Sequence, residues 1–460
     1  MGLGKQVTAT KTNGAPPAST TTPPSRRGGG RLTRESAIVA GGQVAAGLGS
    51  FAAVGVLTQR LSPEAYGEVA LALTLSALMN LVVFPFLAAG GGRFLGAASM
   101  EGSAPGVLAA LRHLALPVGG VTCGAGAVLW LSAAAWRPSA QALAGTATAF
   151  ALAVGAATVL DALQSSRRQR LAVAVFSAAQ QWGRVCGALL LIHLVGPASA
   201  AAVGGMALGA AGIALAQLRA SGLADEPYDR DADTREAWRV RLVNYAWPIV
   251  AWGPAYWLQS ASDRWALEAF RGSSSVGQYA AAYQLAYLPL LLVGNVMLQT
   301  LQPLVFAGAG LGGVFREREG KLPPSSILGI VAASLGAAWA LILALGKPLI
   351  ARLLDERYAA ALDLMPALAL ACGFFLGAQA AALPVMATVG TRPLLRSRVI
   401  ASLLGMAFNI VAAMRWGASA VAWAMVAFSA LLWAWTEWVR RDVHRAPGCG
   451  APGGASAPSP

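Results

Sequence analysis

The sequence predicts an all-α polytopic membrane protein with about twelve transmembrane helices, and three observations lead to this fold class. Only 12% of the 460 residues are charged and 56% are hydrophobic, which is more apolar than a soluble domain. Apolar stretches of about 20 residues recur from Ser36 to Trp438, each long enough to cross a hydrocarbon core of roughly 30 Å. Lys and Arg residues concentrate in every second connection between these stretches.

The breaks between the apolar stretches define the individual spans. Short breaks such as Arg137-Pro138 and Gly196-Pro197 separate neighbouring helices, because proline interrupts a helix and glycine tolerates the turn. A further join falls near Arg415. The predicted spans are 36–59, 68–90, 114–136, 140–162, 171–194, 197–218, 242–261, 276–303, 326–350, 363–389, 396–415 and 417–438.

The distribution of basic residues predicts the orientation. If the N-terminus is cytoplasmic, most of the 34 Lys and Arg residues fall in cytoplasmic connections and tails, as the positive-inside rule requires. With twelve spans, both termini are then predicted to be cytoplasmic. The formal net charge of +14 is explained by this topology and gives no reason to expect a nucleic-acid partner.

The longest polar connection, the predicted cytoplasmic linker 219–241, divides the spans into two sets of six. We predict one six-helix bundle at 36–218 and a second at 242–438. The basic N-terminal tail, 1–35, is rich in Pro, Ser, Thr and Gly and is predicted to be disordered, and 439–460 forms a cytoplasmic C-terminal tail. Because six is even, a repeat between the bundles is parallel, about a pseudo-twofold axis along the membrane normal.

A faint internal repeat supports this division. The stretch RLSPEAYGEVALAL follows the first span, and RGSSSVGQYAAAYQL follows the seventh. Aligning Gly67 with Gly277 puts both stretches outside, each leading into the next helix, with a one-residue slip between Arg60 and Arg271.

Three stretches resemble landmarks of the polysaccharide flippase family. SDRWALEAF followed by VGQYAAAYQLAYLP is similar to the family's Asp-Arg pair at the end of span seven and its Gly-x-Tyr at the start of span eight. LTQRLSPEAYGEVAL resembles the Leu-Ser-Pro/Gly-Tyr turn after span one. DALQSSRRQRLAVAV is similar to the basic connection between spans four and five. The resemblance extends from about Arg34 to Trp438.

The resemblance implies a function and an architecture. The family handles O-antigen and exopolysaccharide precursors and belongs to the multidrug/oligosaccharidyl-lipid/polysaccharide exporter (MOP) superfamily, so a MATE-like pair of bundles is expected. The chain would be a flippase of the bacterial cytoplasmic (inner) membrane that moves a lipid-linked, undecaprenyl-pyrophosphate-type oligosaccharide outward by alternating access. Expected partners are this lipid-linked oligosaccharide, the lipid bilayer, a polysaccharide polymerase and other biosynthesis proteins. Two alternatives stay open: an ion-coupled multidrug or small-molecule exporter, and a non-transporting membrane partner of a polysaccharide synthase complex.

The fifth span carries the sharpest single candidate for substrate binding. Ser177, Gln181 and Arg184 recur on one helical face, and Arg184 is the basic residue placed well within a span. A buried guanidinium is costly without a partner, and its forked donors suit a phosphate. The alternatives are an ion pair with a carboxylate such as Asp161 and a side chain that reaches the interface.

Polar and aromatic faces of the seventh and eighth spans supply the remaining cavity candidates. Four amides share one face of the eighth span and either bind sugar hydroxyls or bond neighbouring helices. An aromatic stripe on the seventh span either stacks on sugar rings or belongs to an interfacial belt. The candidates are Gln284, Asn295, Gln299, Gln302 and Trp252.

Asp263 and Arg264 end the seventh span and are predicted to form a hinge and outer gate. The alternative is a water-exposed surface pair, which contributes little energy.

The sequence offers no pattern for catalysis or for a resident metal. The cysteines lack metal-ligand spacing, the longest outer connection has no His, and no phosphate-binding loop of an ATPase is present. We therefore predict a transporter, not an enzyme, without cofactor or catalytic residues. The sequence does not choose between Na⁺ and H⁺ as a coupling ion.

Overall fold

The computed structural model describes a helical chain over residues 28–134, 138–223, 225–226, 231–309, 324–352, 354–388 and 392–445. No strand occurs among these residues, which confirms the predicted all-α class. Residues 1–27 of the predicted disordered tail lie outside this part, and the first helix already begins at Gly28. The segment 446–460 also lies outside the described residues.

The N-terminal half contains seven described helices, which we call the N lobe. They are α1 (Gly28–Arg60), α2 (Pro63–Val82), α3 (Pro85–Met100), α4 (Ala104–Ala134), α5 (Pro138–Ser166), α6 (Arg170–Val195) and α7 (Ser199–Ala220).

The C-terminal half, the C lobe, likewise contains seven described helices. They are α8 (Ala232–Arg271), α9 (Ser273–Ala309), α10 (Pro324–Leu345), α11 (Lys347–Ile350), α12 (Ala361–Thr388), α13 (Arg392–Arg415) and α14 (Ala418–Arg445). A short 3₁₀ helix, Glu356–Tyr358, precedes α12.

Every predicted span coincides with one of these helices or with a broken pair. Span 68–90 is the pair α2 and α3, because Val83 and Phe84 interrupt the helix. Pro85 then begins α3 at a first-turn position, where its missing N–H costs nothing. Span 326–350 is the pair α10 and α11. The helices are generally longer than predicted, most clearly α8, which begins at Ala232 inside the predicted linker.

The described helices confirm a multi-pass membrane protein. Nine of them, within the described residues, are long and apolar enough to cross a membrane. The other three predicted spans correspond to α6, α8 and α10. In α10 the apolar part is the shorter segment Gly329–Leu345. In α6 the amides and the arginine of its polar face lower the mean hydropathy, and in α8 the uncharged central stretch is itself only weakly apolar, because it is rich in Trp, Tyr and Pro and contains Asn244 and Gln259.

Glycines at positive φ end two of the helices where the sequence predicts breaks. Gly196 follows α6 with φ 112°, and Gly417 follows α13 with φ 84°. A side chain is strained in this left-handed region, and glycine is not. The tight joins between α6 and α7 and between α13 and α14 therefore depend on these two residues.

The two lobes repeat one packing pattern. In the N lobe, α6 packs on α1 and α7, and α5 packs on α4, α7 and the α2–α3 pair. In the C lobe, α13 packs on α8 and α14, and α12 packs on α10, α14 and α9. Each contact in one lobe thus has a counterpart in the other in the same chain order, which confirms the parallel pseudo-twofold arrangement.

Gly67 of α2 and Gly277 of α9 form a close contact between the lobes. A Cβ on Gly67 would overlap the carbonyl oxygen of Ser273, and a Cβ on Gly277 would overlap that of Pro63. The contact is reciprocal, since each glycine packs against the first turn of the other lobe's helix. This geometry confirms the alignment of Gly67 with Gly277.

A second contact between the lobes lies at the predicted outer end. Tyr358, in the 3₁₀ helix of the C lobe, is fully buried and donates a hydrogen bond of 3.1 Å to the carbonyl oxygen of Leu61. Its ring packs edge-on against Tyr66 of α2, with centroids 5.9 Å apart. The predicted outer ends of the two lobes are therefore held together in this conformation.

Candidate substrate cavity

The position of α6 is set by close packing on α7. A Cβ on Gly183 or Gly187 would meet the backbone of Gly209 or Gly205, so the two helices approach at backbone distance. Gly205 and Gly209 therefore have a structural role in this close approach. The adjacent, polar face of α6 is then free to line a cavity.

A cavity of about 220 Å³ lies beside this polar face. Helices α1, α2, α5, α6 and α7 of the N lobe form most of its wall, and α9 contributes one residue from the C lobe. Most of the lining is apolar, and three of its four polar side chains come from the predicted set, the fourth being Tyr66. The lining residues are Ala53, Leu57, Tyr66, Val69, Ala70, Leu73, Phe150, Gln181, Arg184, Val185, Met206 and Gln284.

Three of the predicted site residues therefore meet in one place. Gln181 and Arg184 come from α6, and Gln284 comes from α9. The Gln181 side-chain amide also donates a 2.8 Å hydrogen bond to the Ser50 hydroxyl of α1. The helices contain the other four positions, but the side chains of Trp252, Asn295, Gln299 and Gln302 lie outside the described part of the structure.

Arg184 is only partly satisfied within this cavity. Its Nη1 donates to Gln181 Oε1 at 3.3 Å, and its guanidinium lies 5.3 Å from the centre of the Phe150 ring. Its Nε is buried without a hydrogen-bond partner. Such a donor is costly to leave unpaired, and the forked guanidinium matches the oxygens of a phosphate.

The ion pair between Arg184 and Asp161 is not formed. Asp161 instead accepts hydrogen bonds from Gln217, at 2.8 Å, and from Ser177, at 3.4 Å. Among the residues that the structure describes, no carboxylate lies within ion-pair distance of Arg184. The interpretation of Arg184 as one half of a structural salt bridge is therefore wrong for this conformation.

Asp263 and Arg264 lie in a buried cluster of the C lobe, and the surface-pair interpretation is wrong. Asp263 is 1% exposed and accepts a 2.8 Å hydrogen bond from the Tyr279 hydroxyl. The Arg264 side chain is 11% exposed, and its Nη1 lies 3.6 Å from Asp263 Oδ1. The long helix α8 continues to Arg271, so this pair lies inside a helix and not at its end.

The sequence interpretation missed the tyrosines that surround this pair. Tyr279, Tyr283 and Tyr287 recur every four residues and stack along α9. The Arg264 guanidinium lies over the Tyr283 ring, 4.3 Å from its centre, in a cation–π contact. The signal was present in VGQYAAAYQLAYLP, whose tyrosines fall on one helical face.

Two tryptophans of α8 near this cluster hold the helix against α2. Arg264 Nη1 donates to the Ser260 carbonyl oxygen at 3.0 Å, within α8 itself. Trp257 and Trp265 of the same helix donate to the backbone and hydroxyl oxygens of Thr74 in α2, at 2.6 and 3.1 Å. The cluster thus lies next to a contact between the lobes.

Comparisons with known proteins support the fold. Sequence comparison finds no match, either to a family model or to a curated protein. Solved structures do match. The lipid II flippase MurJ, in an inward closed conformation, is similar with TM-score 0.63 and 11% identity over 89% of this chain and 87% of that chain. An inward-facing MATE family multidrug resistance transporter of the MOP superfamily has TM-score 0.67 and 12% identity over 87% and 94%.

A third solved structure broadens this group. It is a MOP superfamily transporter from Pyrococcus furiosus, with TM-score 0.58 and 11% identity over 90% of this chain and 95% of that chain. The fold and the two-lobe arrangement are thus those of MATE and MurJ structures. These neighbours are membrane transporters and a flippase, and none of the three is described as an enzyme.

Proposed function

We propose that this protein is a flippase that moves a lipid-linked oligosaccharide across the bacterial cytoplasmic membrane by alternating access. The substrate would be of the undecaprenyl-pyrophosphate type, and the product would serve surface or exopolysaccharide biosynthesis. The fold likeness to a lipid II flippase supports this proposal, and the resemblance at SDRWALEAF supports the oligosaccharide class. The proposal includes a location in the inner membrane with both termini cytoplasmic.

The single observation that carries the proposal is the state of Arg184. Its buried Nε has no acceptor, and the cavity around it offers no carboxylate. A pyrophosphate oxygen would complete its hydrogen bonds, and Gln181 and Gln284 beside it would donate to and accept from sugar hydroxyls. The apolar remainder of the wall suits the faces of the sugar rings, and the prenyl chain would stay in the bilayer.

The second candidate function is an ion-coupled multidrug exporter. The likeness to MATE structures favours it, because these share the fold to the same degree. The charge of the cavity speaks against a cationic drug, since Arg184 would repel a like charge at short range. A non-transporting role beside a polysaccharide synthase is the third candidate. The flippase proposal also includes a polymerase as partner and a gradient of Na⁺ or H⁺ as the driving force.

The test is a flipping assay in proteoliposomes with a fluorescent lipid-linked oligosaccharide. Arg184→Ala is expected to lower the flipping rate by about tenfold to a hundredfold, the equivalent of a charged hydrogen bond worth roughly 1.5–3 kcal/mol. Arg184→Lys keeps the charge and loses the forked pair of donors, so its flipping rate should lie between those of the native protein and Arg184→Ala. Arg60→Gln, at an exposed arginine that ends α1, is the matched control and should flip at the native rate.

Three outcomes would contradict the proposal. Native flipping by Arg184→Ala would remove the phosphate-binding role. Extrusion of drugs by the native protein, without movement of oligosaccharide, would establish the multidrug exporter instead. Absence of both activities in a protein that retains its helical content would favour the non-transporting partner.

A further inference from the structure

A second cavity, of about 140 Å³, lies on the same side of α6 as the Arg184 cavity. It is nearer to the predicted cytoplasmic end of the helix. Its polar lining comes from Gln43 of α1, Ser165 of α5, and Arg170 and Ser177 of α6. None of these four residues belongs to the cavity described above.

The two cavities follow one seam between α1 and α6. A Cβ on Gly42 would overlap Ala174, and a Cβ on Gly49 would contact the Gln181 side chain. Both helices advance by seven residues between these contacts, so they run parallel with a constant offset. Ser50, which accepts from Gln181, lies one position beyond Gly49. The seam therefore connects the two cavities without a change of register.

The polar side chains of α6 along this seam are regularly spaced. Arg170, Ser177 and Arg184 are seven residues apart, which places them on one helical face. Fourteen residues of helix correspond to about 21 Å along the axis, so one phosphate cannot reach both arginines. Trp182 lies on the other side of the seam, where it is 43% exposed and donates to the Ala45 carbonyl oxygen. The polar face is thus directed away from this exposed tryptophan.

Asp161 separates the two arginines electrostatically. It accepts from Ser177, which is the inner boundary of the second cavity. A carboxylate at this point repels an anion that passes between the cavities. The seam therefore offers two separate anion positions with a barrier between them, and not one continuous site.

We infer that the second cavity is a cytoplasmic subsite for a phosphoryl group, occupied before the group reaches Arg184. The inference rests on the proposed function and assigns its first step. Arg170 is exposed at the predicted cytoplasmic start of α6, and its guanidinium with the Gln43 amide and the Ser165 hydroxyl forms the donor set. The ligand class is a prenyl pyrophosphate whose chain stays in the bilayer.

The experiment uses the full chain in nanodiscs and in proteoliposomes, with farnesyl pyrophosphate as the binding probe. Arg170→Gln is expected to weaken binding of the probe from the cytoplasmic side and to raise the KM of flipping by about tenfold, the effect of one lost charge-assisted hydrogen bond. The maximal flipping rate should stay near the native value. Arg184→Ala should instead lower the maximal rate and leave binding at the cytoplasmic subsite intact.

The matched control is Arg168→Gln. Arg168 is exposed in the same connection and carries the same charge, but it does not line the cavity. A KM and a probe affinity that are the same in Arg170→Gln and Arg168→Gln would overturn the subsite. Arg170→Lys should recover part of the affinity, because it restores the charge.

The outcomes separate this inference from the proposed function. If the native protein flips and Arg184→Ala does not, but Arg170→Gln behaves as native, only the subsite is wrong. If the native protein neither binds farnesyl pyrophosphate nor flips, the proposed function fails and the subsite with it. Equal affinity for inorganic and farnesyl pyrophosphate would identify a site for soluble anions and overturn the lipid-linked ligand.

Discussion

The two lobes share a helix arrangement and differ in what they do with buried charge. In the register that aligns the ends of α1 and α8, Asp263 and Arg264 of the C lobe correspond to Ala52 and Ala53 of the N lobe. In the register of Gly67 and Gly277, Tyr279 corresponds to Val69. The charge cluster is therefore a property of the C lobe alone, and the pseudo-twofold axis does not repeat it.

The difference lies in how completely each charge is satisfied. Asp263 accepts from Tyr279 and from the Arg264 backbone N–H, and Arg264 donates within α8 and lies over an aromatic ring. Arg184 in the N lobe keeps an unpaired donor. A satisfied buried pair fixes a structure, and an unsatisfied buried donor is available to a ligand. The comparison thus separates a structural cluster from a proposed binding site.

The largest expected effect tests the structural half of this comparison. Asp263→Ala leaves Arg264 buried without its carboxylate and should lower the free energy of unfolding by about 3–5 kcal/mol. The measurement is unfolding in mixed micelles, followed by tryptophan fluorescence. Asp363→Ala is the matched control, because Asp363 is 74% exposed and its pair with Lys347 contributes about 0–1 kcal/mol. Equal losses in both variants would show that the Asp263 cluster is no more than a surface pair.

The next effect tests the symmetry itself. Gly67→Ala and Gly277→Ala each place a methyl group against the backbone of the other lobe and should each destabilise the protein by about 1–3 kcal/mol. Because the contact is reciprocal, the two losses should be similar when measured by the same unfolding assay. Gly120→Ala, at a helical glycine with open space around it, is the control and should not destabilise. Unequal losses at Gly67 and Gly277 would break the pseudo-twofold description of this contact.

The smallest effect concerns the contact at the predicted outer end, where Tyr358 of the C lobe meets the N lobe. Tyr358→Phe removes the hydrogen bond to the Leu61 carbonyl oxygen and keeps the ring against Tyr66, at an expected cost of about 1 kcal/mol. With one cysteine introduced in each lobe at the predicted outer ends, the rate of disulfide cross-linking should fall, because the lobes separate more often. Tyr256→Phe, at a half-exposed tyrosine, serves as the control. An unchanged separation in Tyr358→Phe would mean that this bond does not hold the outer ends together.

Patterns repeated along the chain predicted most of the fold. Apolar length and basic connections predicted the helices, and the alignment of Gly67 with Gly277 predicted the axis. The interruption at Val83 was missed as a helix break, because Pro85 also fits a kink within one helix. Helix ends were underestimated because α8 continues past the apolar stretch at both ends, where hydropathy carries no signal.

The candidate site was predictable where one helix carried the pattern. The spacing of Gln181 and Arg184 on a single face was sufficient to bring them together in the cavity. Contacts between distant segments were not predictable, since no local pattern specifies that Tyr358 reaches Leu61. The burial of Asp263 was misjudged for the same reason: its partner Tyr279 lies on the next helix, and only the packing of α8 on α9 brings them together.

The reciprocal contact of Gly67 and Gly277 has the form of an isologous dimer interface, retained inside one chain. In such an interface, each half presents the same patch to the other, so a change at the patch alters two contacts at once. Here the two patches are encoded separately, and each must still fit the other. The two halves are therefore free to differ at positions outside these two patches. Arg184 in one half and Asp263 in the other show that they have done so.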